Sequence, residues 1–169
     1  MLYKASLDKT AKLITISISS LFIFIAALQY VLTDATLSSV PSFASACLLI
    51  IYLLVFLFRP ARYIITNNEL IIVRGAWDVR IKRSSIKNVA AIEYNDIGGT
   101  VRTFGVGGFF GYYGKFANRS LGHMTWFVTR KDSLVLVKTA DKTIVLSPDQ
   151  REEFIKELLH NEAQQRYCN

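Results

Sequence analysis

The chain has 169 residues, a hydrophobic content of 51% and a formal net charge of +7, enough for one ordinary domain plus an anchor and too little for two large domains. A positive mean hydropathy of +0.30 sets it apart from an ordinary soluble protein. The charge is uneven, with 14 Lys/Arg against 6 Asp/Glu from Arg59 to Leu146 and 3 against 5 from Ser147 onward, and an excess of this size beside an apolar segment speaks against nucleic acid as a partner, because an anionic lipid surface would compete for it.

The first predicted element is Leu13–Leu32, 20 residues without a charge or a proline. At about 1.5 Å per residue it spans about 30 Å, the thickness of a hydrocarbon core. The second is Ser42–Phe58, also uncharged and closed by Arg59-Pro60. The intervening loop carries Asp34 and no Lys or Arg, whereas Lys4, Lys9 and Lys12 precede the first span and Arg59 and Arg62 follow the second. The positive-inside bias therefore predicts a transmembrane hairpin over 13–58, spans 13–32 and 42–58, with both termini cytoplasmic and residues 1–12 as a cytoplasmic lead-in. Small residues (Ser42, Ala44, Ser45, Ala46) predict close helix packing. No ionisable side chain lies inside either span, which argues against transport or a proton relay.

From Tyr63 the hydrophobic period changes to that of strands. Tyr63–Thr66 and Glu69–Arg74 flank Asn67-Asn68 and read as a hairpin. Trp77–Lys82 alternates, predicting Trp77, Val79 and Ile81 inward and Arg80 and Lys82 outward. Ile86–Tyr94, Thr125–Thr129, Ser133–Thr139 and Lys142–Leu146 are further strands. Asn95–Met124 reads as irregular. Ser147-Pro148-Asp149-Gln150 predicts a helix start with Ser147 as N-cap, and Phe154, Ile155, Leu158 and Leu159 form its apolar stripe. The fold class expected is α+β: the two-helix hairpin, then a β-roll or barrel of about seven antiparallel strands in 59–169, capped by a C-terminal helix.

This order of elements resembles a pleckstrin-homology (PH) fold. Residues 60–160 resemble more specifically the bacterial PH-like domains of small membrane proteins. The features that carry the resemblance are Tyr63-Ile64-Ile65-Thr66 with Leu70-Ile71-Ile72, the segment Gly107–Phe116, and Ile144–Pro148 leading to Phe154. It implies a fold and a membrane location far more than an activity.

Eight of the nine glycines lie between Gly98 and Gly122. Gly105–Gly111 does not make a dinucleotide fingerprint, since Phe110 stands where a glycine is required and no βαβ unit surrounds it; Gly114-Lys115-Phe116 is not a phosphate loop. The aromatics of this segment admit two readings. They pack against their own domain or prop it on a membrane interface, or Phe109, Phe110, Tyr112, Tyr113, Lys115 and Phe116 form an interaction surface for a protein partner, including a second copy of the chain. Arg80, Lys82, Arg83 and Lys87 are the densest basic patch and the candidate contacts to anionic lipid. The turn at Asn67-Asn68 lacks the basic residues that phosphoinositide-binding PH domains carry there. Cys47 and Cys168 have no disulfide or metal spacing, and His123 and His160 have no acid/base partners in any motif. No catalytic residue, metal or cofactor is expected. The expected role is a non-enzymatic module at the inner membrane that recruits or scaffolds partners, the alternative being a sensor of anionic lipid or a regulatory subunit of a membrane complex.

Overall fold

Strand pairing begins ahead of the first helix. A computed structural model describes residues 1–32 and 39–167; most of the predicted loop, at 33–38, and Cys168 lie outside these. Strand β1 (Leu2–Lys4) pairs antiparallel with β2 (Pro60–Ile65), Tyr3 opposite Tyr63. The N-terminal lead-in is thus woven into the β domain. Helix α1 (Lys9–Leu32) and helix α2 (Ser39–Phe58) follow. Among the described residues, α1 is long and apolar enough over Lys9–Val31 to cross a membrane, and α2 carries a shorter apolar stretch, Phe43–Phe58. The Ser19 and Tyr52 hydroxyls hydrogen-bond at 3.2 Å, and Ser45 donates to Gln29. Pairings of 19 with 52 and 29 with 45 are those of antiparallel helices. Ile16, Ile23, Phe24, Leu49 and Leu53 stand exposed along them, an apolar surface far larger than a water-facing patch tolerates.

Strands β3 (Glu69–Arg74) and β4 (Val79–Lys82) complete a first sheet of order β1-β2-β3-β4. The second sheet contains β5 (Ile86–Ile92), β6 (Val101–Gly108), β7 (Gly111–Asn118), β8 (Gly122–Val128), β9 (Leu134–Thr139) and β10 (Thr143–Leu146), in the order β5-β9-β10-β8-β7-β6. The described residues therefore hold ten strands where about seven were expected. The additional ones are β1 and the β6–β7 hairpin, which occupies much of the supposedly irregular Asn95–Met124. Glycine has low strand propensity and interrupts the alternation a strand is recognised by. Here it is required: Gly105 and Gly114 sit opposite one another with φ of 118° and 129°. A Cβ on either would stand 2.3 Å from the facing strand's carbonyl oxygen, Tyr113 or Phe104. Nor is the pairing wholly antiparallel, since β10 runs parallel to β8.

The central strands of the second sheet are buried on both faces. One face joins the first sheet and helix α3 (Arg151–Tyr167) around Tyr3, Tyr63, Ile72, Val137, Phe154 and Leu158. The other packs Tyr112, Phe116, Trp126 and Leu136 against Ala11 of α1 and Ile97. The Phe154 amide bonds to the Gln150 carbonyl at 3.0 Å, so α3 starts later than Ser147. Ser147 is instead fully buried: its Oγ accepts from the Thr129 amide at 2.8 Å, and its own amide donates to the Tyr63 hydroxyl at 3.2 Å. Trp77 also departs from expectation. It precedes β4 in a turn and is 64% exposed, while Val79 and Ile81 do face the core.

Candidate functional site

The chemistry of this molecule concentrates where the β domain meets the helices. An α-helix ends with main-chain groups that have no partner of its own, and the domain supplies several of them. At the start of α1, Asp8 is the N-cap: its Oδ1 accepts from the Ala11 amide at 2.6 Å and its carbonyl from the Lys12 amide at 3.0 Å. The Asp8 amide donates to the Thr129 carbonyl at 3.2 Å, and its Oδ2 accepts from the Lys131 amide at 3.3 Å. Asp149 extends this joint, accepting from the Ser6 amide and hydroxyl and from Arg130 at 3.2 Å. At the end of α2, the Leu57 carbonyl accepts from the Ala76 amide at 2.9 Å, and the Val55 carbonyl from the Tyr113 hydroxyl. Burial pushes that hydroxyl's pKa well above its ordinary value, opposed by the nearby Arg59 charge.

Between the two helices sits the tip of the β6–β7 hairpin. Phe110 holds φ at 57°, a left-handed conformation that a bulky residue seldom adopts. Its amide donates to Thr15 Oγ1 at 2.9 Å. Its ring meets Tyr52 and Phe56 edge-on at 5.5 and 5.4 Å, and the Arg59 guanidinium lies 4.3 Å from the Phe56 ring centroid and 5.4 Å from that of Phe110. A cation here complements the negative end of the α2 dipole. Gly108 holds φ at 119°, a conformation that L side chains rarely adopt, and packs directly against Ile14. No linker separates α2 from the domain: α2 ends at Phe58 and β2 begins at Pro60.

The predicted interaction surface is accordingly reassigned. Phe110, Tyr112, Tyr113 and Phe116 are buried, Phe109 is half-buried against Tyr52 and Phe110, and only Lys115 is exposed, donating to Thr125 Oγ1 at 3.2 Å. The aromatics bind the domain to its own helices and to its own core. Phe110, Phe109 and Tyr113 come together at the helices, whereas Tyr112 and Phe116 serve the second core. The glycines that made the segment conspicuous allow this inward packing.

The basic patch is also divided. Arg83 is 4% exposed and donates to the carbonyls of Thr66 at 3.1 Å, Glu157 at 2.8 Å and Leu158 at 2.6 Å. It ties the β2–β3 turn to α3 and is not available to lipid. Arg80 is exposed, 3.7 Å from Glu69. Lys82 and Lys87 are exposed, but Lys82 pairs with Glu69 at the end of the first sheet remote from α2. Strands of this length place that end about 20 Å from the helix terminus, beyond a Debye length in physiological salt.

The sequence reading missed Asp8, Trp77 and the outer edge of β6. Asp8 had a signal, a capping residue just ahead of an apolar run. Strand β6 ends its sheet, and along it Val101 and Phe104 are 64% and 77% exposed.

A family model described as a bacterial PH domain matches residues 61–161. The chain belongs to the bacterial PH domain family. No curated protein and no solved structure matches the chain. The bacterial PH domain here begins one residue after α2 gives way to β2, and the β1 strand, Asp8 joint and helices lie ahead of the matched span.

Proposed function

We propose that this protein is a membrane-embedded bacterial PH module that holds a partner-binding strand edge at a fixed height and orientation above the cytoplasmic surface of the inner membrane. In this reading α1 and α2 cross the bilayer as a hairpin with both termini cytoplasmic, as the Lys/Arg distribution directs. The observation that carries it is the contrast between the two ends of the β6–β7 hairpin. Its tip is clamped between α1 and α2 at Thr15, Tyr52 and Val55, while the outer edge of β6 carries exposed Val101 and Phe104.

An open strand edge takes an extended peptide by main-chain pairing, and exposed side chains set which one. Exposed Arg102 in the same strand and exposed Lys115 opposite Phe104 in β7 favour an acidic segment carrying apolar residues at alternate positions. Membrane confinement raises the effective concentration of any partner held on the same surface. The lipid-sensing alternative through Arg80, Lys82, Arg83 and Lys87 is disfavoured by the burial of Arg83 and the remoteness of Lys82.

The test is photo-crosslinking in native membranes, with the photoreactive residue at Phe104 and, as a control, at Lys142 in the exposed β9–β10 turn. A discrete adduct from position 104, lost on Val101→Asp and absent from 142, supports the reading. Equal labelling from both positions, or none from 104, overturns it.

A further inference from the structure

We infer that the β3–β4 turn, Gly75–Asp78, is a bilayer-contact element that places Trp77 in the phospholipid headgroup region beside Phe58. The inference rests on the reading that α2 crosses the membrane, and it adds a part of the β domain to the lipid contact.

The turn is fixed to the helix at its last residues. The Ala76 amide bonds to the Leu57 carbonyl at 2.9 Å. Gly75 lies so close that a Cβ would stand 3.1 Å from the same oxygen. The Trp77 ring meets Phe58 edge-on at 5.0 Å. Its height is therefore that of the residue at which the apolar helix ends and Arg59 begins, the level at which hydrocarbon gives way to headgroups. Trp77 is 64% exposed. A large amphipathic ring left open at that level is what the aromatic belts of membrane proteins consist of, with an apolar body toward the chains and an N–H toward the wet side.

The surroundings have matching chemistry. Arg74 donates from Nε to the Trp77 carbonyl at 3.0 Å and lies 5.6 Å from the Phe58 ring. Arg59 and exposed Arg62 stand at the same end of β2. These guanidiniums offset the single carboxylate in the turn, Asp78, which accepts from the Arg74 amide at 3.3 Å, and leave the rim net positive toward phosphate.

The chain has two tryptophans, and Trp126 is buried. The emission of the wild type minus that of Trp77→Phe therefore isolates Trp77 without touching the core. The full chain is reconstituted into vesicles of phosphatidylcholine and phosphatidylglycerol, with bromine atoms placed on the acyl chains either next to the glycerol or near the chain ends, and the vesicles are floated to verify insertion. The inference predicts that the difference emission loses about half its intensity to the shallow bromine, clearly less to the deep one, and little to aqueous iodide, as an interfacial ring should. Strong iodide quenching with no effect of either bromolipid in floating vesicles overturns the inference and leaves the anchor reading standing. Failure of the protein to float overturns both.

Discussion

The phenolic hydroxyl of Tyr113, in strand β7, donates to the main-chain carbonyl of Val55, 58 residues earlier in helix α2. The last carbonyls of a helix need outside donors, and here one comes from a hairpin of the domain the helix supports. Tyr113→Phe keeps the ring and removes the donor, leaving the Val55 oxygen without it in a half-buried setting. The expected loss is about 1–2 kcal/mol, read as a lower thermal midpoint in detergent and faster amide exchange confined to the β6–β7 tip and the final turn of α2. Uniformly faster exchange across both sheets would contradict the assignment.

Asp8 joins α1 to the loop after β8. In Asp8→Ala the capping bond to Ala11 and the bond from Lys131 are both lost. A cap of this type is worth about 1 kcal/mol. Amide protection should fall at Ala11, Lys12 and Lys131 while that of β9 and β10 is unchanged, and Asp8→Asn should recover most of it.

Arg83 separates a structural from a lipid-binding role. Removing it leaves the carbonyls of Thr66, Glu157 and Leu158 without its donors, and Arg83→Met should cost about 1–3 kcal/mol, the penalty of buried acceptors left without a hydrogen bond. Lysine cannot reproduce the planar fork, so Arg83→Lys should recover only part. Retention of anionic vesicles by the folded fraction should not change, and a selective loss of vesicle affinity at unchanged stability would refute the role assigned here.

Tyr63 predicts an alkaline transition. Its hydroxyl donates to the Phe127 carbonyl at 2.6 Å inside the core, and burial raises its pKa to about 12, partly opposed by the hydrogen bond from Ser147. The folded-state value lies above the unfolded one of about 10. The stabilisation is therefore complete below pH 10 and is lost as pH rises through about 12. Ultraviolet titration should show ionisation of Tyr63 coinciding with loss of near-ultraviolet dichroism, and Tyr63→Phe should remove that part of the pH dependence.

The two apolar helices were legible from the length and unbroken hydropathy of their runs, and the β2–β3 hairpin, β5, β9, β10 and the Phe154 and Leu158 positions of α3 because local periodicity and burial agree there; Leu159, expected on the same stripe, is 42% exposed. The β6–β7 hairpin was not legible, because its glycines serve a cross-strand close approach at Gly105 and Gly114 that leaves no alternating pattern. β1 is too short to signal itself and exists only through its pairing with β2. Trp77 fits an inward alternation, yet β4 begins only at Val79 and Trp77, outside the strand, is 64% exposed. The composition of the Gly/aromatic segment is conspicuous in the sequence, but whether its rings face a partner or the chain's own helices depends on tertiary contacts with Thr15, Tyr52 and Val55 that no local window contains. Arg83 likewise sits in a run of basic residues that reads as solvated, and its burial depends on α3, more than 70 residues away.

The central claim is that the β domain is clamped to its helices at the β6–β7 tip. Its most direct test is thiol crosslinking in native membranes of Ile14→Cys with Phe109→Cys, in a chain carrying Cys47→Ala and Cys168→Ala, using a short bifunctional reagent. Near-complete crosslinking within each chain, with none for Ile14→Cys paired with Lys87→Cys, is the predicted result. Equal yields from the two pairs, or no product from the first, would contradict the account.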